Sequence, residues 1–285
     1  MANHPSTAVF EPNGLRSEEA LSRIQARSRY YFKLSEFAQL TGRDSGTAAY
    51  LAVNRLSRQG RVVTATRRPA GYLIVPPEHQ HYGAPPVTWW IDDCLRFIEP
   101  HYYVALLSAA RHWGSSHYAR QDVQIMLSRP HPPLSPGRLK ITFTAKKDIA
   151  VTPVAVIKSG VAAWRVSSRA ATLLDLLRHQ SDVGGIEAIV RITKDLSGEV
   201  SREDLFASLD ALNQAPAAQR LGYLFDQLKL KTCARHVAAW LDARSDFKWP
   251  QPLELGIPRA QHMETDSRWK VLYDRNRLSI LEELR

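Results

Sequence analysis

Polar side chains recur every three or four residues from Thr47 to Arg58, with Tyr50 and Asn54 at the intermediate positions. An α-helix advances about 100° per residue, so this spacing places the four side chains on one face. Amide, hydroxyl and guanidinium groups in that arrangement can form hydrogen bonds with base edges in the major groove of DNA. The pattern predicts a helix in which Tyr50, Asn54 and Arg58 probe bases while Thr47 contacts phosphate.

The element that must position these side chains is predicted as a helix over residues 45–59. Ser45 is the expected N-cap, which brings the backbone near Ser45 close to phosphate, and Gly60 ends the helix. The opposite face is apolar, as is typical of a helix that packs on a core. That face contains Ala49, Ala52, Val53 and Leu56.

Two further helices are predicted before this one. Ser17–Arg29 has the pattern of the first helix, and Leu34–Gly42 forms the second, with Ser35 as its N-cap candidate. The tight turn that follows contains Arg43, which we include among the predicted DNA contacts.

A β-hairpin is predicted after the third helix. Its strands are the β-branched and aromatic runs Arg61–Ala65 and Gly71–Val75. The connection between them carries Arg67 and Arg68, which can lie along phosphates or in the minor groove. Helix, turn, helix and hairpin is the order of a winged helix-turn-helix domain.

Four prolines between Val75 and Val87 mark the clearest linker in the chain. We therefore predict a loose arm over residues 1–14, a winged helix-turn-helix domain over 15–85, and a larger domain over 86–285. The predicted fold class is α+β, with a small sheet followed by helices in the second domain.

The second domain is predicted from apolar patterning. A helical region over residues 89–114 is divided by Pro100, and a possible edge strand lies at Arg268–Asp274. The other strands are predicted at Val123–Ser128, Leu139–Thr144, Val151–Lys158 and Val161–Ser167. The helices that follow are predicted at Ala170–His179, Gly185–Leu196, Ser201–Leu212, Ala217–Leu228 and Ala234–Arg244.

The composition favours an anionic partner. The 285 residues carry a net charge of +10, and the first 85 contain 11 Lys and Arg against 6 Asp and Glu. A basic balance speeds association with polyanions, so nucleic acid is favoured over an acidic protein or a membrane surface. The alternative is a winged helix that binds a protein and whose polar stripe is a solvated face.

The sequence favours a cytoplasmic protein without a cofactor. No apolar run approaches the roughly 20 residues that span a bilayer, and Cys94 and Cys233 are expected to be free thiols. A phosphate-binding glycine loop is absent as well, so we expect neither a nucleotide nor a metal. His112 and His117 lie five residues apart across a glycine, which favours a structural turn over a zinc site.

Cations recur through the predicted sheet region, where they form either a solvated face or a second surface for nucleic acid or a partner. These residues are Lys140, Lys146, Lys147, Lys158, Arg165 and Arg169. Lys146, Lys147 and Asp148 also invite comparison with Mg²⁺-dependent nucleases, but the second carboxylate that such sites need is missing. Asp175 is expected to have a structural role, tying a loop or a nearby arginine.

Several blocks of the sequence resemble the AbiEi-type antitoxins of bacterial abortive-infection systems. They are Arg55–His79, Tyr102–His117, Trp164–Leu177 and Gln219–Leu228. The resemblance extends from about Leu15 to about Trp249. Where family members commonly have Ser-Pro-Glu, this chain has Ser168-Arg169-Ala170, and its wing carries an additional proline, Pro69.

This resemblance implies a type IV antitoxin with two domains. The N-terminal domain would repress its own operon, and the C-terminal domain would counter a nucleotidyltransferase-like toxin without a stable complex. The expected partners are therefore operator DNA and that toxin, and the sequence leaves open whether inverted repeats are bound. A nucleic-acid-processing enzyme and a direct protein-binding neutraliser remain the alternatives.

Overall fold

The computed structural model divides the chain into two compact units, and the predicted α+β class is confirmed. The first unit extends to Ile98 and includes Leu134–Lys140 and Lys158–Trp164, while the rest forms the second unit. The sequence predicts a boundary near residue 85, whereas residues 86–98 lie in the first unit. The structure describes residues 14–43, 45–115, 122–244, 249–258, 261, 264–274, 278 and 283.

The first unit contains the predicted succession of helices and hairpin. Its elements are α1 (Ser17–Gln25), β1 (Tyr31–Lys33), α2 (Leu34–Leu40), α3 (Gly46–Arg58), β2 (Val62–Arg67), β3 (Ala70–Ile74) and α4 (Ile91–Leu95). The strand β1 is not predicted, because three residues between two helices give no periodic signal. It pairs with β3, so the sheet has the order β1-β3-β2.

Local capping explains where α3 begins. The backbone N–H of Ala48 donates to Oγ of Ser45 at 3.1 Å, which confirms the predicted N-cap. Ser35 is not a cap, because α2 begins one residue earlier at Leu34 and no side chain caps it. Gly42 and Gly60 have φ values of +61° and +70°, so glycine occupies the left-handed position after each helix as predicted.

The core of the first unit lies between the helices and the sheet. The four apolar residues predicted for the inner face of α3 are all buried. They pack in one cluster with Leu21, Phe32, Phe37 and Tyr72. The fold therefore fixes α3 by one face and leaves its other face open.

The second unit is built on a five-stranded sheet with the order β6-β5-β4-β8-β7. The elements in this part are β4 (Tyr102–Val104), α5 (Leu106–His112), β5 (Asp122–Leu127), β6 (Lys140–Ala145), β7 (Val154–Lys158) and β8 (Ala163–Ser167). The prediction of a helix over Tyr102–Val104 is wrong, since this segment is the central strand. The chain turns between strand and helix at Leu106, whose φ of +52° interrupts helical geometry.

Helices pack beside this sheet and continue to a second, smaller sheet. They are α6 (Arg169–Arg178), α7 (Gly185–Ser197), α8 (Arg202–Leu212), α9 (Ala215–Gln227) and α10 (Lys231–Asp242), which confirms the five predicted helices. The last strands are β9 (Gln251–Pro252), β10 (Glu264–Asp266) and β11 (Val271–Tyr273). The prediction of an edge strand at Arg268–Asp274 is wrong in position, because β11 lies between β10 and β9.

One apolar cluster contains buried residues from the helices α5 through α10 and from the small sheet. Gly222 in α9 is needed there, because a Cβ atom at this position would lie 2.0 Å from the ring of Trp269. Within the described residues, no helix combines the length and the apolar character needed to cross a membrane.

Candidate nucleic-acid interface

The outer face of α3 presents the predicted polar stripe to solvent. Thr47, Tyr50 and Arg58 are exposed and Asn54 is half-buried. With about 100° per residue, Thr47, Asn54 and Arg58 lie directly opposite the buried face, and Tyr50 lies at its side. The helix therefore holds these groups in a row that spans most of its length.

The beginning of α3 is open as well as capped. The Ser45 hydroxyl accepts from the backbone of Ala48, and a Cβ atom at Gly46 would meet nothing within 4 Å. The first-turn N–H groups of a helix lack intrahelical partners and favour anions. The described residues therefore leave space beside the Cα of Gly46, at the turn that carries these N–H groups.

Arg43 is less available than the other predicted contacts. Its Nη2 donates to Oγ of Ser17 at 3.3 Å, and its guanidinium lies 5.7 Å from the ring centroid of Phe37. The side chain is half-buried and joins α1 to α2. Its position indicates a packing role in this unit.

The hairpin that follows α3 ends in a short basic tip. Arg67 pairs with Ala70, so only Arg68 and Pro69 lie outside the strands, and both arginines are exposed. The predicted loop over Thr66–Ala70 is therefore too long, because β2 and β3 extend into it. The peptide bond between Arg68 and Pro69 is cis.

Contacts beneath the tip hold the hairpin. Thr66 Oγ1 donates to the carbonyl of Pro69 at 2.6 Å and lies 3.5 Å from the hydroxyl of Tyr31. A Cβ atom at Gly71 would lie 2.3 Å from that hydroxyl, so glycine allows the tyrosine to fill the space. Burial raises the pKa of Tyr31 to about 12, and its hydroxyl stays protonated near neutral pH.

Some arginines of the first unit form ion pairs, and those of the candidate interface form none with the residues that the structure describes. Arg29 forms an ion pair with Glu36, and Arg61 forms one with Glu18. Within the described part of the chain, no ion pair engages the arginines of the outer α3 face and the tip. These are Arg55, Arg58, Arg67 and Arg68. The helix α3 itself contains no acidic residue, so no carboxylate on this helix offsets the positive charge of its outer face.

Sequence reasoning missed two residues of this face, Leu51 and Arg55. Both are exposed, and Leu51 lies between Thr47 and Asn54 near the centre of the outer face. The helical spacing does place Leu51 on this face, because it lies about one turn after Thr47. Leucine has no hydrogen-bonding group in its side chain, so its residue type alone does not indicate a DNA contact.

The six cations of the second predicted surface do not form one patch. Lys140 begins β6 and Lys158 ends β7, and these strands are the opposite edges of the sheet, about 19 Å apart. Arg165 donates to the carbonyl of Pro100 at 2.6 Å, and Arg169 packs on Trp113 and pairs with Glu199. Lys140, Lys147 and Lys158 are exposed.

Lys146 is not a surface residue, and this part of the prediction is wrong. It is only 6% exposed, and its Nζ lies 2.8 Å from Oδ1 of Asp175 and 2.9 Å from the hydroxyl of Tyr103. That hydroxyl donates to Oδ2 of Asp175 at 2.8 Å, and burial raises the pKa of Tyr103. We call these three residues the buried triad.

The geometry of the buried triad supports a structural role. Both carboxylate oxygens of Asp175 are occupied by partners from its own unit. The charged partner of this carboxylate is a lysine, whereas the sequence suggests a loop or a nearby arginine. Among the described residues, no group of three His, Cys, Asp or Glu side chains is placed to hold a metal.

The histidine cluster also has structural contacts where it is described. His112 ends α5 and lies edge-on to Trp113, and burial lowers its pKa. Ser115 donates to Oδ2 of Asp195 at 2.6 Å. The predicted partner His117 lies outside the described residues.

Fold and surfaces together define an α+β protein with a small helix-and-hairpin unit and a larger sheet-and-helix unit. Residues 103–227 match the family model of the AbiEi antitoxin C-terminal domain. The predicted resemblance to the AbiEi-type antitoxins is therefore confirmed. The match supports an antitoxin role in a toxin–antitoxin system and implies a toxin as counterpart.

A solved structure shares the fold along almost the whole chain. It is the RV2827C protein from Mycobacterium tuberculosis, with a TM-score of 0.63, 17% sequence identity, and coverage of 94% of each chain. At this identity the similarity concerns the fold alone. No curated protein matches the chain in sequence.

Proposed function

We propose that this protein is a DNA-binding antitoxin that represses its own toxin–antitoxin operon. The helix α3 enters the major groove of an operator, and the hairpin tip lies along the backbone or in the minor groove. Occupation of the promoter then blocks transcription. The observation that carries the proposal is the set of four exposed arginines on α3 and the hairpin tip, which form no ion pair with any residue that the structure describes.

The proposed roles follow from the chemistry of each side chain. Asn54 and Arg58 have the groups that pair with adenine and guanine edges, and Tyr50 adds a hydroxyl at the side of the face. Thr47 and the capped start of α3 contact phosphate. Arg67 and Arg68 neutralise phosphates, which gives affinity but little sequence discrimination.

The second unit is proposed to oppose a nucleotidyltransferase-like toxin in the cytoplasm without forming a stable complex. The AbiEi domain match supports the antitoxin part of this proposal. We propose no enzymatic step at the buried triad, because both carboxylate oxygens of Asp175 already have partners. Lys140, Lys147 and Lys158 are then separate solvated charges.

A titration by fluorescence anisotropy tests the DNA-binding role. The protein is added to the duplex upstream of its own gene and to a scrambled duplex of equal length. We expect selective binding that Asn54→Ala combined with Arg58→Ala abolishes, because each lost base contact costs about 1–3 kcal/mol. A matched control is Thr232→Ala with Arg235→Ala, which removes one neutral polar side chain and one arginine from the exposed face of α10.

Equal affinity for both duplexes, unchanged by the α3 substitutions, would contradict the proposed role of α3. Circular dichroism must show that both variants are folded. The toxin-related role has its own test, in which the α3 variant and the wild type are co-expressed with the toxin. We expect both to restore growth, and we expect size-exclusion chromatography to separate antitoxin from toxin.

A further inference from the structure

Leu51 occupies an unusual position for an aliphatic side chain. It is 51% exposed and lies near the centre of the outer face of α3. Thr47 precedes it by one turn, and Asn54 follows it by three residues. The side chain therefore lies inside the row of groups that the proposed function assigns to DNA.

The fold does not explain this leucine. The inner face of α3 already supplies four buried residues to the core, and Leu51 does not belong to that cluster. Leaving a leucine in water forgoes roughly 1.5–3 kcal/mol of burial that a core position would provide. A contact made on binding would recover part of it.

The surroundings of Leu51 indicate which kind of partner it meets. Arg55 and Arg58 lie on the same side of the helix, and α3 offers no acidic residue. Such a border repels basic protein surfaces and attracts a polyanion. The one apolar group on a base edge in the major groove is the C5-methyl of thymine.

We propose that Leu51 packs against a thymine methyl in the operator and makes the protein specific for thymine at that position. The inference rests on the proposed binding of α3 to DNA and adds a specificity determinant to it. The contact needs no hydrogen bond, so it acts beside the amide of Asn54 and the guanidinium of Arg58. It predicts that one thymine methyl per bound α3 helix contributes to affinity.

Deoxyuridine provides the test, because it lacks only this methyl group and keeps the pairing edges of thymine. Each thymine of the upstream duplex is replaced in turn, and affinity is measured for the wild type and Leu51→Ala. We expect one position per bound helix at which the wild type loses about fourfold in affinity, the value for one buried methyl group. Leu51→Ala should bind the thymine and uracil duplexes equally there.

Further variants separate the possible outcomes. Leu51→Met keeps an apolar side chain of similar size and should retain the preference for thymine, whereas Thr47→Ser tests whether the other methyl group on this face is responsible. Uracil sensitivity that persists in Leu51→Ala, or that is absent at every thymine, would overturn the inference while leaving selective operator binding intact. If the wild type does not distinguish the upstream duplex from a scrambled one, the proposed function itself fails. Alanine favours helix, so Leu51→Ala is expected to fold.

Discussion

The cations on the outer face of α3 and the hairpin tip differ from Lys146 and Arg169 of the second unit in how they are partnered. In the first unit, the arginines of the α3 face and the hairpin tip have no ion-pair partner within the described residues. In the second unit, Lys146 is buried against Asp175, and Arg169 is held by Trp113 and Glu199. The same residue types thus form the proposed binding surface in one unit and internal contacts in the other.

This difference shows that net charge alone does not locate a binding surface. A count of cations along the sequence treats Lys146 and Arg67 alike, but only an unpaired, solvated cation is free to release counterions from DNA. A cation with a close carboxylate would have to lose that partner first. Partnering is therefore the better criterion, and it can be tested in each unit.

The largest expected effect is on the stability of the second unit. Asp175→Ala leaves the Lys146 ammonium buried without its carboxylate, which should lower the free energy of unfolding by about 3–5 kcal/mol. Urea titration followed by circular dichroism measures the change. Tyr103→Phe, which removes one hydroxyl and keeps the ion pair, should cost about 1–2 kcal/mol. An Asp175→Ala variant as stable as the wild type would show that the buried triad is not an energetic unit.

The next effect is on the salt dependence of DNA binding. Arg67→Gln with Arg68→Gln removes two unpaired cations, so the slope of log affinity against log salt should flatten by about two units. Lys140→Gln with Lys158→Gln removes the same charge from the edges of the five-stranded sheet and should leave the slope unchanged. The measurement is a set of anisotropy titrations at increasing salt. A slope that changes equally in both variants would assign nucleic-acid contact to the edges of the five-stranded sheet too.

The smallest effect concerns the N-cap serines of α3 and α8, which accept the same kind of hydrogen bond. The Ser45 Oγ accepts at 3.1 Å in α3, and the Ser201 Oγ accepts at 3.0 Å in α8. Either Ser→Ala substitution should cost about 1 kcal/mol of stability in thermal unfolding. Only Ser45→Ala should also weaken DNA binding, by about threefold, because it loosens a helix start that faces phosphate. Equal DNA affinity of the two variants would place the start of α3 away from DNA.

Elements with regular periodicity could be predicted from the sequence. The cap at Ser45, the apolar stripe and Gly60 bound α3, and alternation in β-branched residues indicates most strands of the second unit. The strand β4 could not be predicted, because Tyr102–Val104 continues into the apolar pattern of α5. The two elements are separated by a change of backbone direction at Leu106, where φ is +52°.

The site was predictable to the extent that it depends on one helix. The exposed row on α3 follows from the 100° spacing of a helix, because the apolar residue types identify the inner face. The burial of Lys146 does not, because charged residues, Lys147 and Asp148, follow it directly and its partner Asp175 is 29 residues away. Tertiary contacts of that kind leave no local pattern.

The contacts of Thr66, Gly71 and Tyr31 beneath the hairpin tip allow the exposed side chains of the tip to vary. Thr66 donates to the backbone carbonyl of Pro69, and Gly71 leaves space for the ring of Tyr31. These contacts do not involve the side chains of Arg67 and Arg68. The side chains exposed on α3 are likewise separate from those that form its core. The residues proposed to recognise DNA can therefore be exchanged, in a laboratory library or during divergence of an operator, with little cost to folding.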